Sequence, residues 1–382
     1  MSSGESSVKV ASTLPIINIA PWIEGHDHKG RLSAAAAIHA ACLDYGFFYL
    51  DVSSYLDPRE PEELARLAHN FFSLPTEEKE NISISKQDHA RGYQRLKENV
   101  TMGKADNHEG IDFYRPVENP DKTKLLWGEN QWPTIPGFRE KYEAWVDKMK
   151  ALGLMPLSES EHRMAMGLGM TDAEWEDLRS QVDDSFWVMR IIGYPPLPND
   201  DDGFSCGAHK YGSQSITLTL VTRALLTVRD YGCLTLLWAD STRGALQVFQ
   251  PHQFLAVENP GAVLREEGIE EGLWITVDPV PGCIVCNIGE MWEIWTNGLY
   301  KSTLHRVIHR GSNYRIPFFF EPNFNARIAP LGAALRIQED LNLTSDKCHV
   351  ERKHKTYEPT VYGDFLLKKV DSNFATGQGK YN

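Results

Sequence analysis

The stretch WITVDPVPGCIVCNIGEMWEIWTNGLYKSTLHRVIHRGSNYRIPFFFEP, residues 274–322, decides the fold. It breaks into short runs (WITVDPVPG, CIVCNI, STLHRVI, YRIPFFFEP) rich in Val, Ile, Phe and Cys, and Gly, Pro or Asn stands between them. Runs of that length and composition read as strands, because β-branched and aromatic side chains pack well on a pleated surface and the intervening residues make turns. The same texture starts near residue 184, in SFWVMRIIGY, CLTLLWA and ALQVF. So many short strands at close spacing make a β-sandwich or jelly roll.

Outward from this core the pattern turns helical. LPIIN (14–18) is a short strand candidate, LSAAAAIHAACL (32–43) an alanine-rich helix, and GFFYL (46–50) a buried strand. In 60–74, Pro61 sits early and Leu64, Leu67, Ala68, Phe71 and Phe72 recur at helical spacing, so one face is buried. LPTEEKENI opens another helix, with Thr76 read as its cap. Phe138, Tyr142, Trp145, Val146, Met149 and Leu152 form one apolar stripe, and Pro156 ends or kinks that helix. The expected organisation is a disordered 1–13, an α/β region over 14–135, a long-helix region over 136–183, the β core over 184–325 and a helical tail over 326–382. The fold class is thus mainly β with flanking helices.

Composition narrows the function. A net charge of −13 over 382 residues argues against a nucleic-acid or anionic-membrane partner, since both require clustered Lys and Arg. The start MSSGESSVKVASTLP lacks a secretory pattern and no apolar run reaches the length that spans a bilayer, so the chain reads as soluble and cytoplasmic, acting on a small molecule. Six scattered cysteines fit free thiols. Cys283 and Cys286 look like a metal or redox pair, but in a strand residues i and i+3 point to opposite faces, so their sulfurs do not converge.

The β-rich half also carries His209 in SCGAHK, Asp230 at the head of DYGCLTLL, and His305 in STLHRV. Two imidazoles and a carboxylate on a sheet can hold Fe(II) on one face and leave other positions open. His252 and His309 read as structural or surface residues. The motifs GAH, DYGCLTLL, ALQV, PVPGCIVCNIGEMWEIWTNGLYKSTLHRV and IPFFFEPNF, with DYGFFYL, FFSLPTEEK, RGYQ and VTMGKADNHEGIDF in the N-terminal half, resemble the isopenicillin N synthase-like branch of the non-haem Fe(II), 2-oxoglutarate-dependent dioxygenases. The resemblance covers most of residues 14–370.

It implies a double-stranded β-helix (jelly roll) core with iron held by His209, Asp230 and His305, and no catalytic side chain beyond the metal centre. It implies 2-oxoglutarate and O₂ as cosubstrates. Arg315 matches the arginine that grips the far carboxylate of 2-oxoglutarate, and Tyr194 in GYPP matches a cosubstrate-contacting tyrosine. It implies oxidative decarboxylation of 2-oxoglutarate to succinate and CO₂, coupled to hydroxylation, desaturation or cyclisation of a small molecule. Substrate contacts are expected from the N-terminal helices, the 88–114 segment and the tail.

Two departures from the family stand out. An R-x-S pair is expected before IPFFF, whereas the chain reads NYRIPFFF, two residues short. Because strand side chains alternate with period two, Arg315 is still expected to face inward, displaced along the strand. The second departure is YGSQSITLTLVTRALLTVR (211–229), which separates His209 from Asp230 where the family has H-x-D. Removing it restores HKDYGCLTLL. The segment holds no Asp or Glu to replace a ligand, spans whole codons and has edges compatible with GTA and AG, so we read it as a retained intron; a loop insertion is the alternative. The competing functions are an oxidase of this fold that does not use 2-oxoglutarate, a binding protein impaired by the insertion, and a jelly-roll carbohydrate binder.

Overall fold

A computed structural model describes residues 14–25, 27–98, 100–101, 104–155, 167–197, 204–206, 230–251, 272–345 and 357–378. The short runs become strands of two principal sheets. Over the N-terminal half these are β1 (Ile16–Asn18), β2 (Phe47–Asp51), β3 (Gly92–Gln94), β4 (Val100–Thr101), β5 (Lys104–Ala105) and β6 (Glu109–Tyr114). The core adds β7 (Val188–Tyr194), β8 (Phe204–Cys206), β9 (Leu234–Ala239), β10 (Leu246–Pro251), β11 (Gly272–Val277), β12 (Cys283–Ile288), β13 (His305–Ile308) and β14 (Asn313–Phe320). One sheet has the order β1-β2-β12-β9-β14-β7-β6-β3 and the other β11-β10-β13-β8. Two facing, largely antiparallel sheets of this kind make the jelly roll.

The central strands read as nearly continuous apolar runs because both of their faces are buried. Leu234, Leu236, Ile284, Cys286, Ile288, Ile316, Phe318 and Phe320 join the large core under the helices. On the opposite face Val285 packs with Phe47, Tyr49, Leu246, Val248 and Val277 between the two sheets, with Leu237 and Cys283 at their edge. Cys283 and Cys286 therefore lie on opposite faces, and both are free thiols.

The helices cover the outer face of the large sheet: α1 (Ala20–Ile23), α2 (His28–Asp44), α3 (Arg59–Phe72), α4 (Thr76–Lys79), α5 (Phe138–Leu154) and α6 (Asp172–Ser180). All six residues of the 138–152 stripe are buried on α5, which packs on β9 and β14, while α3 packs on β7 and β14. The Thr171 and Glu174 side chains close a reciprocal capping box on α6. C-terminal to these come α7 (Glu290–Trp295), the ribbon β15 (Arg327–Ile328) with β16 (Thr360–Val361), and the tail helices α8 (Gly332–Ser345) and α9 (Tyr362–Gln378). Among the described residues no helix is long and apolar enough to cross a membrane.

The structure corrects one local expectation. Thr76 is the first residue of α4 rather than its cap: extended Pro75 precedes the helix, and its carbonyl accepts from Glu78 and Lys79. A capping hydroxyl would have to stand one residue earlier. In β10 and β11 the pairing runs as far as Gln250 with Leu273 and Pro251 with Gly272. Residues 1–13, Pro156 and His252 lie outside the described residues.

Candidate active site

The site forms on the inward face of the jelly roll, where strand register fixes what meets. In β10 and β13 Val248 pairs with His305 and Leu246 with Val307, which places the imidazole over the apolar layer between the sheets. The ring edge meets Phe47 from β2, with centroids 5.3 Å apart. His305 Nδ1 lies 3.2 Å from the Thr303 carbonyl oxygen, an arrangement that fixes the ring and turns Nε2 towards Asp230.

Asp230 heads the turn into β9. Its Oδ2 accepts hydrogen bonds from Thr235 Oγ1 at 2.5 Å and from Asn287 Nδ2 at 2.6 Å. Its Oδ1 faces His305 Nε2 across 4.0 Å, beyond hydrogen-bond reach. One carboxylate oxygen and one imidazole nitrogen thus face each other while the second polar atom of each is anchored elsewhere. That donor set suits a divalent transition metal, and anchoring partners of this kind orient ligands in metal sites. His209 and residues 211–229 lie outside the described residues.

Further along the same face are Arg315 and Tyr194. Arg315 pairs with Ala239 on one side and Ile192 on the other, and Asn313 pairs with Tyr194. Arg315 is only 4% exposed and its Nε has no hydrogen-bond partner, although its guanidinium lies 5.6 Å from the Tyr194 ring centroid. With Leu237, Ala239, Leu246, Val277 and Val285 it lines a cavity between the sheets. The planar fork of a buried guanidinium short of partners matches the two oxygens of a carboxylate. His309 lies at the rim, with its ring centroid 6.4 Å from that of Tyr194.

Sequence reasoning missed the residues that hold Asp230. Thr235 and Asn287 occupy inward positions of apolar strands, and a polar residue at such a position was the available signal. Glu321 was missed as well. It is buried behind the Asp230 turn, accepts a 2.7 Å hydrogen bond from Tyr362 Oη, and has its acidity reduced by burial, with a pKa of about 8, although the Tyr362 bond acts in the opposite sense. Because the folded-state value is raised, the associated stability is present below the ordinary carboxyl range and is lost as pH rises through about 8. Glu321→Gln, which cannot ionise, should flatten that dependence and stabilise the protein on the order of 5 kcal/mol above about pH 8, as measured by denaturant unfolding across pH.

The fold defines a class, the jelly-roll proteins, and comparison with known proteins identifies the family. Residues 14–135 match the model described as non-haem dioxygenase in morphine synthesis N-terminal, and residues 184–322 match the 2OG-Fe(II) oxygenase superfamily. The homoarginine-6-hydroxylase of Glycine max is 34% identical over 385 residues, covering 95% of this chain and 98% of that protein. One from Arabidopsis thaliana is 34% identical over 376 residues, covering 95% and 90%. Among solved structures, a full-length Neurospora crassa protein in complex with alpha-KG superposes with a TM-score of 0.67 at 23% identity, covering 95% and 97% of the two chains, and shows the shared fold. The chain belongs to the 2OG-Fe(II) oxygenase superfamily. It is an oxidoreductase that uses Fe(II), 2-oxoglutarate and O₂ to oxidise a small organic molecule.

Proposed function

We propose that His209, Asp230 and His305 hold the iron and that Arg315, beside Tyr194, receives the far carboxylate of 2-oxoglutarate. The observation that carries this reading is the facing of Asp230 Oδ1 and His305 Nε2 on the same inward surface as the buried Arg315. When bound, Fe(II) supplies the redox chemistry: one atom of O₂ enters succinate as CO₂ leaves, and the other enters the substrate. The chain's own residues do the rest. Thr235 and Asn287 fix the carboxylate, the Thr303 carbonyl and Phe47 fix the imidazole, and Leu237, Leu246, Val277 and Val285 keep water away from the carboxylate end of the cosubstrate.

The substrate is read as a small, polar, nitrogen-bearing molecule, with homoarginine the first to test. Four relatives named homoarginine-6-hydroxylase, at 32% to 34% identity, each cover 94% or 95% of the chain. Strand alternation also sets Arg190 on the face that carries Tyr194 and Arg315, next to a buried polar group. There Arg190 contacts Asp112 at 2.7 Å and Gln94 at 2.7 Å. The segment 88–114 supplies Gln94 and Asp112, consistent with its expected place at the substrate. The free thiols fit a reducing compartment, and the reading places the enzyme in the cytoplasm.

Two measurements test the reading. Anaerobic Fe(II) and 2-oxoglutarate should give a metal-to-cosubstrate charge-transfer band, and homoarginine should accelerate succinate release by at least about tenfold. A band without acceleration by homoarginine overturns the substrate, whereas absence of the band overturns the assigned ligands.

A further inference from the structure

The turn that carries Asp230 is gripped from behind by the end of the chain. Gly232 lies so close to Glu321 that an added Cβ would collide with Glu321 Oε2, so any larger residue there would have to displace this carboxyl group. The same Oε2 accepts the Tyr362 hydroxyl at 2.7 Å, and Tyr362, the first residue of α9, is fully buried. Backbone hydrogen bonds from Tyr362 to Ala326 and from Gly363 to Phe324 fix the start of that helix. Two turns further along α9, Lys369 Nζ lies 3.3 Å from Glu290 and 5.0 Å from the ring centroid of Tyr231. Glu290 returns the contact to the turn, because its backbone N–H donates to the Asp230 carbonyl at 2.8 Å. Met291 N donates to the Gly232 carbonyl and Gly289 N to that of Cys233.

We propose that α9 is a positioning element for the Asp230 carboxylate, acting at two points, through Tyr362 and Glu321 on Gly232 and through Lys369 on Tyr231 and Glu290. The inference rests on the reading of Asp230 as an iron ligand. Its physical reason is the sequence anomaly: twenty residues separate His209 from Asp230 in place of the single residue of H-x-D, so orientation of the carboxylate falls to packing across the fold. Thr235 and Asn287 set one carboxylate oxygen, and α9 sets the backbone that carries it. Because ligand misplacement of about 1 Å is enough to cost orders of magnitude, holding the turn matters.

The test uses the full chain with Tyr362→Phe, Lys369→Met and the conservative Glu321→Gln. Without iron, amide exchange at 230–233 should accelerate about tenfold in the first two variants and stay unchanged in β7 and β14, since Tyr362→Phe loses a buried hydrogen bond and Lys369→Met a half-buried ion pair. The Fe(II) titration midpoint should rise about tenfold in both, while Glu321→Gln, which still accepts the Tyr362 hydroxyl, retains the parent midpoint. Unchanged exchange at 230–233, or acceleration spread evenly over the jelly roll, overturns the proposal. Local loosening with an unmoved midpoint upholds the grip of α9 on the turn and removes Asp230 from the ligand set, a result to be compared with His305→Ala.

Discussion

Arg315→Met should raise the 2-oxoglutarate concentration required for half-maximal turnover at least about a hundredfold and leave Fe(II) binding unchanged. The side chain is 4% exposed, Nε has no hydrogen-bond partner, and the surrounding wall is Leu237, Ala239, Leu246, Val277 and Val285. A carboxylate entering that wall gives up its hydration and meets the guanidinium as the one charged group among the described residues of the lining. Removing one partner of such a pair costs about 3–5 kcal/mol, because the other charge stays buried and unmatched. The same substitution should stabilise the protein without cosubstrate, since methionine fills the space without a buried charge. Opposite signs for cosubstrate affinity and for stability separate this role from a purely structural one. Arg315→Lys should fall between, keeping the charge and losing the fork. An unaltered requirement for 2-oxoglutarate in Arg315→Met would move the carboxylate receptor elsewhere.

The position of Arg315 shows how far local patterning reaches. Two residues are missing before IPFFF, and strand alternation alone puts Arg315 on the inward face. The register with Ala239 and Ile192 places it there, and Asn313, two residues earlier, takes the position opposite Tyr194. The stripe from Phe138 to Leu152 was equally legible, because burial on a helix repeats locally. What stayed hidden are contacts made across the fold. Asn287 reaches Asp230 over 57 residues and Tyr362 reaches Glu321 over 41, and no periodicity encodes either distance. Polar residues inside apolar strands marked Thr235 and Asn287 as unusual, but their common partner emerges only once β9 and β12 pair. Thr76 failed for a smaller reason: the helix begins at Thr76 itself, with Pro75 in the capping position and no side-chain cap.

Excising residues 211–229 should tighten Fe(II) binding about 30- to 100-fold and strengthen the charge-transfer band with 2-oxoglutarate. In H-x-D the two ligands leave one strand face at adjacent inward positions, so organising one organises the other. With twenty residues between His209 and Asp230, the ends of that spacer must instead be brought together. At about 0.6 kcal/mol per doubling of length the closure costs about 2–3 kcal/mol, which is one to two factors of ten in affinity. The cost falls on one side of the pair. Asp230 is held by Thr235, by Asn287 and by the backbone of Glu290, none of which depends on the chain before it. His305 is anchored separately at Thr303. The entropy therefore concerns His209 alone, and excision should change the iron affinity without changing amide exchange at 230–233. Equal iron affinity in both forms would identify 211–229 as a tolerated insertion, and a main transcript that retains these codons would set aside its reading as an intron.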